Sequence, residues 1–164
     1  PSSFGTWISA GRRGGAALGY TPSAQYPMPP PSSGGLDDQE RKFLIRYMLR
    51  SKRMLEWGMG ESTKIAAAVG VKNMRSLDSH PDFVNDVRKA VPPTFDIMLV
   101  DIGPVRDWGV PRDWGTPNMT EFQHLWPRYA DAGVEGQEPF DTYFVDGRFR
   151  VACVCTALLH GVGG

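Results

Sequence analysis

The stretch Met54-Leu55-Glu56-Trp57-Gly58-Met59-Gly60-Glu61-Ser62 decides the fold of this 164-residue chain. A short apolar run leads into an acidic residue and a Gly-x-Gly turn, and Ser62-Thr63 then opens an Ala-rich helix. Such a turn lets a ligand come close to the backbone, because glycine has no side chain in the way. The pattern predicts a ligand-binding turn of the Rossmann-like kind.

A second acidic residue lies at the distance that such a turn requires. Twenty residues after Gly58, the segment Met74-Arg75-Ser76-Leu77-Asp78 reads as a strand that ends in a carboxylate. A carboxylate in this place can accept hydrogen bonds from a ribose diol. Ser62 stands where the third glycine of the dinucleotide fingerprint would be, so an ordinary strand-to-helix bend remains the alternative.

Composition indicates a globular chain without a charge bias. Apolar residues make up 41% and charged residues 22% of the chain, and a chain of this length fits one domain. Eighteen Lys and Arg balance eighteen Asp and Glu, so we expect no nucleic-acid partner. No stretch approaches the roughly 20 apolar residues that span a bilayer, so we expect a soluble protein without a transmembrane segment.

The cysteines and histidines do not predict a metal site. Cys153 and Cys155 lie two apart in a predicted helix and point to different faces. We expect neither a mutual disulfide nor a shared metal ion, and interpret both as buried small apolar residues. His124 and His160 are expected to be surface residues rather than catalytic bases.

Residues 1–35 are rich in Gly, Pro and Ser and predict a flexible leader. The alternative is an arm that wraps over a partner with Trp7, Tyr20 and Tyr26 as anchors. The chain starts at Pro1 rather than Met. Either an N-terminal segment, such as an organellar targeting peptide, has been removed, or the sequence is a fragment; the compartment stays open.

Residues 36–164 predict one domain of alternating helices and strands. Asp37 and Glu40 are typical of a capping box. The helix after them has an apolar stripe (Phe43, Leu44, Tyr47, Met48), and we expect the remaining residues Arg41, Lys42, Arg46 and Arg50 to form its polar face. Strands follow at 95–100, expected to be buried, and at 141–145, with a last helix at 149–159. This order predicts an α/β fold with a mainly parallel sheet covered by helices on both faces, truncated after its fourth strand and helix.

Four acidic residues fall at or near the predicted strand ends: Glu56, Asp78, Asp101 and Asp146. Ligands of parallel sheets bind beyond the carboxyl ends of the strands. One cleft could therefore gather all four carboxylates.

The connection at 102–139 is long and contains a tandem repeat. Arg106-Asp107-Trp108-Gly109-Val110-Pro111 is followed by Arg112-Asp113-Trp114-Gly115-Thr116-Pro117. Loops of this length usually have a function or hold an unrecognised element. The two tryptophans could stack on a planar ligand or anchor a partner, or the repeat could be a duplication tolerated in a surface loop.

Over about residues 38–160, the chain resembles class I S-adenosylmethionine-dependent methyltransferase-like proteins. The resemblance points to a branch whose fourth strand ends in a Val-Asp-Gly-Arg segment. It rests on Glu56-Trp57-Gly58-Met59-Gly60-Glu61-Ser62-Thr63, Asp78, Asp101-Ile102-Gly103-Pro104, Trp108-Gly109-Val110-Pro111 and the segment from Phe144 to Cys153.

The resemblance implies S-adenosylmethionine as the cofactor. Glu56, Gly58 and Gly60 match the first motif, whose turn packs against the methionine and ribose parts. Asp78 matches the acid that holds the ribose hydroxyls. Asp101 falls near the adenine-contacting position after the third strand.

Asp146 is the candidate catalytic residue. It matches the strand-end acid that, in some small-molecule O-methyltransferases, binds a metal or faces the substrate. The Asn/Asp-Pro-Pro-Tyr/Phe motif of amino-methylating enzymes is absent from the sequence, and so are the strands that complete the family's sheet.

Two functions therefore remain open. The chain transfers a methyl group to an unknown acceptor, or it is a catalytically inactive subunit with a structural role in an assembly. Partner chains would then contact the leader, the Trp-rich connection at 102–139 or the C-terminal edge.

Overall fold

The computed structural model of the protein describes residues 20–21, 23–31 and 35–162. Along them, the helices are α1 (Asp38–Met48), α2 (Glu61–Val69), α3 (Pro81–Ala90), α4 (Pro127–Asp131) and α5 (Arg150–Val162). The strands are β1 (Arg53–Trp57), β2 (Asn73–Asp78), β3 (Asp96–Leu99), β4 (Val105–Arg106), β5 (Val110–Pro111) and β6 (Thr142–Val145).

Four of these strands form one parallel sheet in the order β3-β2-β1-β6. β4 and β5 form a separate antiparallel hairpin. The predicted α/β fold with a mainly parallel sheet is confirmed. β1 and β2 lie at its centre, and the carboxyl ends of all four strands point to the same edge.

Successive side chains of β1 point to opposite faces of the sheet, and each face packs into its own hydrophobic core. Met54 packs with apolar residues of α1, α2 and α3, whereas Leu55 and Trp57 pack with residues of α4 and α5. Glu56 shares the first face and is fully buried there. Helices therefore cover both faces, as the sequence predicts.

The start of α1 is confirmed, but its predicted apolar stripe is partly wrong. The Asp37 carboxylate accepts the Glu40 N–H at 2.8 Å, and the Glu40 carboxylate accepts the Asp37 N–H at 2.8 Å. Arg41 is buried because it forms an ion pair with Glu61. Phe43 and Tyr47, 61% and 49% exposed, face a cleft instead of the core.

Two further expectations about burial are wrong. β3 pairs only with β2 among the described strands, so it is an edge strand, and Leu99 is 46% exposed. The predicted buried strand is therefore buried mainly at its flanks, Phe95 and Val100. Cys153 is buried as expected, but Cys155 is exposed because it lies on the outer side of α5.

Part of the predicted leader packs on the domain. Tyr20, Tyr26 and Met28 contact the core on the α1 face, and the Ser23 N–H donates to the Ala68 carbonyl at 2.9 Å. Residues 1–19, 22 and 32–34 lie outside the described residues, and Trp7 is among them. Flexibility of the leader stays a prediction.

The connection at 102–139 holds elements that the sequence did not reveal. It contains the β4–β5 hairpin, α4 and three 3-10 turns, Asp107–Gly109, Pro117–Glu121 and Gln123–Leu125.

α5, which follows β6, presents four exposed apolar residues: Val151, Val154, Leu158 and Leu159. None of the described helices combines the length and apolar character needed to cross a membrane.

Candidate functional site

The glycine turn joins β1 to α2 and touches the loop after β6. Gly58 has a φ of 95° and donates its N–H to the Leu77 carbonyl at 2.8 Å. A Cβ at Gly58 would lie 2.3 Å from the Gly147 nitrogen. Glycine is therefore needed here for backbone conformation and for packing between two loops, beyond any approach of a ligand.

Gly60 is the more open position of the turn. It precedes α2, and its N–H donates to the Thr63 hydroxyl at 3.0 Å. A Cβ at Gly60 would meet no atom within 4 Å, and the residue lines a cleft above the sheet. This is where the turn leaves room for a ligand.

Glu56 stabilises the turn through hydrogen bonds made by its buried side chain. Its carboxylate accepts hydrogen bonds from Ser62, from Thr63 at 2.6 Å and from Ser76 at 2.5 Å. Burial raises its pKa to about 7, and these three hydroxyls oppose the rise. Glu56 ties β1, β2 and the start of α2 together, and it is absent from the residues that line the cleft.

Asp78 ends β2 and lies in the cleft wall. Its Oδ1 accepts the His80 N–H at 2.7 Å. Burial raises the pKa of Asp78, and hydrogen bonds from the backbone N–H groups of His80 and Ser79 oppose this. The carboxyl is thus fixed at the strand end, in the wall of the cleft.

Asp146 follows β6 and also lines the cleft. Its Oδ1 accepts a hydrogen bond from Arg150 Nη2 at 2.7 Å. The next residue, Gly147, packs against the buried Tyr129: a Cβ at Gly147 would lie 2.1 Å from the Tyr129 hydroxyl. The Val-Asp-Gly-Arg segment therefore requires glycine, and the close contact presents Asp146 and Arg148 to the cleft.

Asp101 lies elsewhere. It is exposed, and its carboxylate accepts the Gly103 N–H at 2.9 Å within its own turn. It is absent from the cleft lining. Of the four predicted strand-end acids, the cleft brings together Asp78 and Asp146, and a contact of Asp101 with adenine stays a prediction.

The cleft has a volume of about 1180 Å³ and lies over the carboxyl ends of β1, β2 and β6. Pro29 and Pro30 of the leader form part of its rim, because the Pro29 carbonyl accepts a hydrogen bond from Arg41 at 2.8 Å. Phe43 and Tyr47 line one side. Ligand pockets typically have volumes of roughly 300–1,000 Å³, so this cleft is somewhat larger than a typical pocket for one ligand.

The two tryptophans of the repeat occupy different environments. Trp114 stacks on Trp126 with ring centroids 5.0 Å apart. Trp108 lines the cleft, is 64% exposed and has a φ of 64°. Left-handed backbone is costly for a bulky residue, and such strain is concentrated at functional sites.

The hairpin holds Trp108 next to Asp78. The Ser79 hydroxyl donates to the Gly109 carbonyl at 3.2 Å, and a Cβ at Gly109 would lie 3.3 Å from Asp78 Oδ1. The two tryptophans occupy equivalent positions in the sequence repeat, so the sequence alone does not distinguish them. Among the described residues, no three His, Cys, Asp or Glu side chains cluster as metal ligands would.

Comparison with known proteins defines the class. A crystal structure of a methyltransferase-like protein from Silicibacter pomeroyi matches with a TM-score of 0.63 and 30% sequence identity, over 79% of this chain and 68% of that chain. The chain belongs to this methyltransferase-like family. No protein-family model matches it, and neither does any curated protein.

Proposed function

We propose that the chain binds S-adenosylmethionine in the cleft and transfers its methyl group to an acceptor there. The observation that carries the proposal is the position of Gly60 and Asp78 on one cleft above the ends of β1 and β2. The residues fit the cofactor, because Gly60 leaves an open cradle and Asp78 is placed to accept the ribose hydroxyls.

Trp108 completes the proposed cofactor site. The adenine is bonded directly to the ribose, and Gly109, which follows Trp108 in the chain, lies against Asp78. An exposed indole at this point can stack on the purine ring. The proposal therefore assigns the ring contact to Trp108.

Bound S-adenosylmethionine supplies a methyl group on a sulfonium and leaves as S-adenosylhomocysteine. The contribution of the chain is to align the acceptor and to receive its proton. Asp146 lies on the β6 side of the cleft, where its carboxylate can accept that proton. Arg150 fixes its orientation through the ion pair.

Titration calorimetry with S-adenosylmethionine tests the proposal. The wild-type chain should bind one equivalent, and Gly60→Ala should weaken binding by roughly 1–3 kcal/mol, the usual effect of an added methyl in a filled site. Gly161→Ala is the control, because its Cβ would meet only Tyr143 at 3.7 Å. Absence of binding to the wild-type chain would contradict the proposal.

The second function, an inactive subunit of an assembly, is favoured by the exposed apolar side of α5. Val151 and Leu159 are 80% and 75% exposed. Such a surface is typical of a protein interface. Binding of S-adenosylmethionine without methyl transfer, or no binding at all, would support this alternative.

A further inference from the structure

Arg148 is a cation of the cleft without an anion. Its Nε is buried and has no hydrogen-bond partner, and its guanidinium makes no ion pair with any carboxylate of the described residues. Five other cations in that part of the chain do pair with carboxylates: Arg41, Lys64, Arg75, Arg112 and Arg150. The neighbouring acid Asp146 is already bound by Arg150.

Arg148 lines the cleft near both the glycine turn and the β4–β5 hairpin. It follows Gly147, which contacts the glycine turn, and its Cγ would lie 3.9 Å from a Cβ at Gly109. It also lines a smaller cavity of about 430 Å³ next to Trp114 and Phe149. Phe149 has a φ of 52°, so the backbone is strained directly after Arg148.

A buried guanidinium N–H without an acceptor is unfavourable, because the donor has lost water and gained no partner. The partner that the guanidinium as a whole lacks can be a ligand carboxylate in the cleft that Arg148 lines, since arginine presents a planar fork that matches two carboxylate oxygens. The single uncompensated positive charge of Arg148 also favours a carboxylate, which carries one negative charge, over a more highly charged phosphate. Lys64 is the other described cation that lines the cleft, and Asp86 neutralises it.

Two aromatic residues of α1 that line the cleft indicate the body of this ligand. Phe43 and Tyr47 form a ring pair with centroids 4.8 Å apart, and both are largely exposed toward the cleft. Rings that line a cleft in this way favour an apolar or aromatic ligand. The cleft, somewhat larger than a typical pocket for one ligand, suits a site that holds this ligand beside the cofactor.

We propose that Arg148 binds the carboxylate of the methyl acceptor, and that the acceptor is a small organic acid with an apolar, ring-containing body. This inference rests on the proposed function. The methionine part of the cofactor also carries a carboxylate, so the experiment must separate the two sources.

The first arm measures binding of four acids, benzoate, phenylacetate, 3-phenylpropionate and indole-3-acetate, and of their amides, with S-adenosylhomocysteine present. In the wild-type chain at least one acid should bind tenfold or more tightly than its amide. Arg148→Gln should abolish this preference, and Arg148→Lys should keep part of it. Arg112→Gln is the matched control, because Arg112 is exposed, outside the cleft lining and paired with Asp113.

The second arm compares S-adenosylhomocysteine with methylthioadenosine, which lacks the amino-acid carboxylate. Arg148→Gln should leave both affinities unchanged. A selective loss for S-adenosylhomocysteine would assign Arg148 to the cofactor and overturn the acceptor proposal. Equal binding of acids and amides by wild type would overturn it too, while no binding of either nucleoside would refute the proposed function instead.

Discussion

At the residue scale, the central feature is a carboxyl buried beneath the glycine turn. Glu56 is fully buried and accepts three hydroxyl hydrogen bonds, from Ser62, Thr63 and Ser76. Two of these hydroxyls belong to the first turn of α2, and the third belongs to β2. The carboxyl therefore fixes the direction in which α2 leaves the turn, and with it the position of Gly60.

Glu56 should make the stability of the fold depend on pH. Burial raises its pKa from 4.5 to about 7, so the folded chain holds this proton more tightly than the unfolded chain. The free energy of unfolding should therefore fall as the pH rises from about 4.5 to about 7, by roughly 3 kcal/mol at most.

Glu56→Gln has no ionisable group and should flatten this fall. Urea unfolding of both chains at about pH 5 and pH 8 measures the difference. Glu135→Gln, at an exposed glutamate, controls for the change in net charge. An equal fall with pH in wild type and Glu56→Gln would show that Glu56 does not titrate in this range.

At the element scale, the β4–β5 hairpin gives the two repeats different tasks. Trp114 stacks on Trp126 and lies 6.1 Å from the Phe149 ring, whereas Trp108 is exposed in the cleft. Trp114→Ala should lower the free energy of unfolding by roughly 1 kcal/mol, the scale of a lost aromatic pair. Trp108→Ala should change stability less and should weaken S-adenosylhomocysteine binding.

Thermal unfolding and titration calorimetry on the two variants separate these tasks. The same loss of stability in both variants, with unchanged ligand affinity, would show that both tryptophans only support the loop. Asp101→Ala is a useful third variant, since Asp101 is outside the cleft lining.

The elements differ in how far the sequence predicts them. β1, α2 and β2 could be predicted, because apolar runs, glycines and strand-end acids follow local rules. The exposure of Leu99 could not, since it depends on which strand lies at the edge of the sheet. The burial of Arg41 depends on the distant Glu61, and the position of Trp108 in the cleft wall depends on Gly109, which packs against Ser79 and Asp78.

At the scale of the whole molecule, α5 and the free edge of β6 leave apolar surface uncovered. Leu158 is 66% exposed and Leu159 75% exposed, and β6 pairs only with β1 among the described strands. Soluble monomers rarely expose apolar patches larger than a few hundred Å². We expect the isolated chain to associate with another chain through this edge.

Sedimentation velocity over a range of concentrations measures this association. The wild-type chain should sediment faster as its concentration rises, and a Leu158→Gln, Leu159→Gln double variant should do so less, because the apolar contact is lost. A compact wild-type monomer at micromolar concentration would contradict the expectation.

The central claim is that Asp78 holds the ribose diol of the cofactor above the glycine turn. Titration calorimetry of wild type and Asp78→Ala with S-adenosylhomocysteine and its 2′,3′-dideoxy analogue tests it most directly. In wild type, loss of the diol should weaken binding by roughly 1–3 kcal/mol, the scale of hydrogen bonds to a charged group. In Asp78→Ala both ligands should bind equally weakly; undiminished affinity in this variant, or an unchanged preference for the diol, would contradict the account.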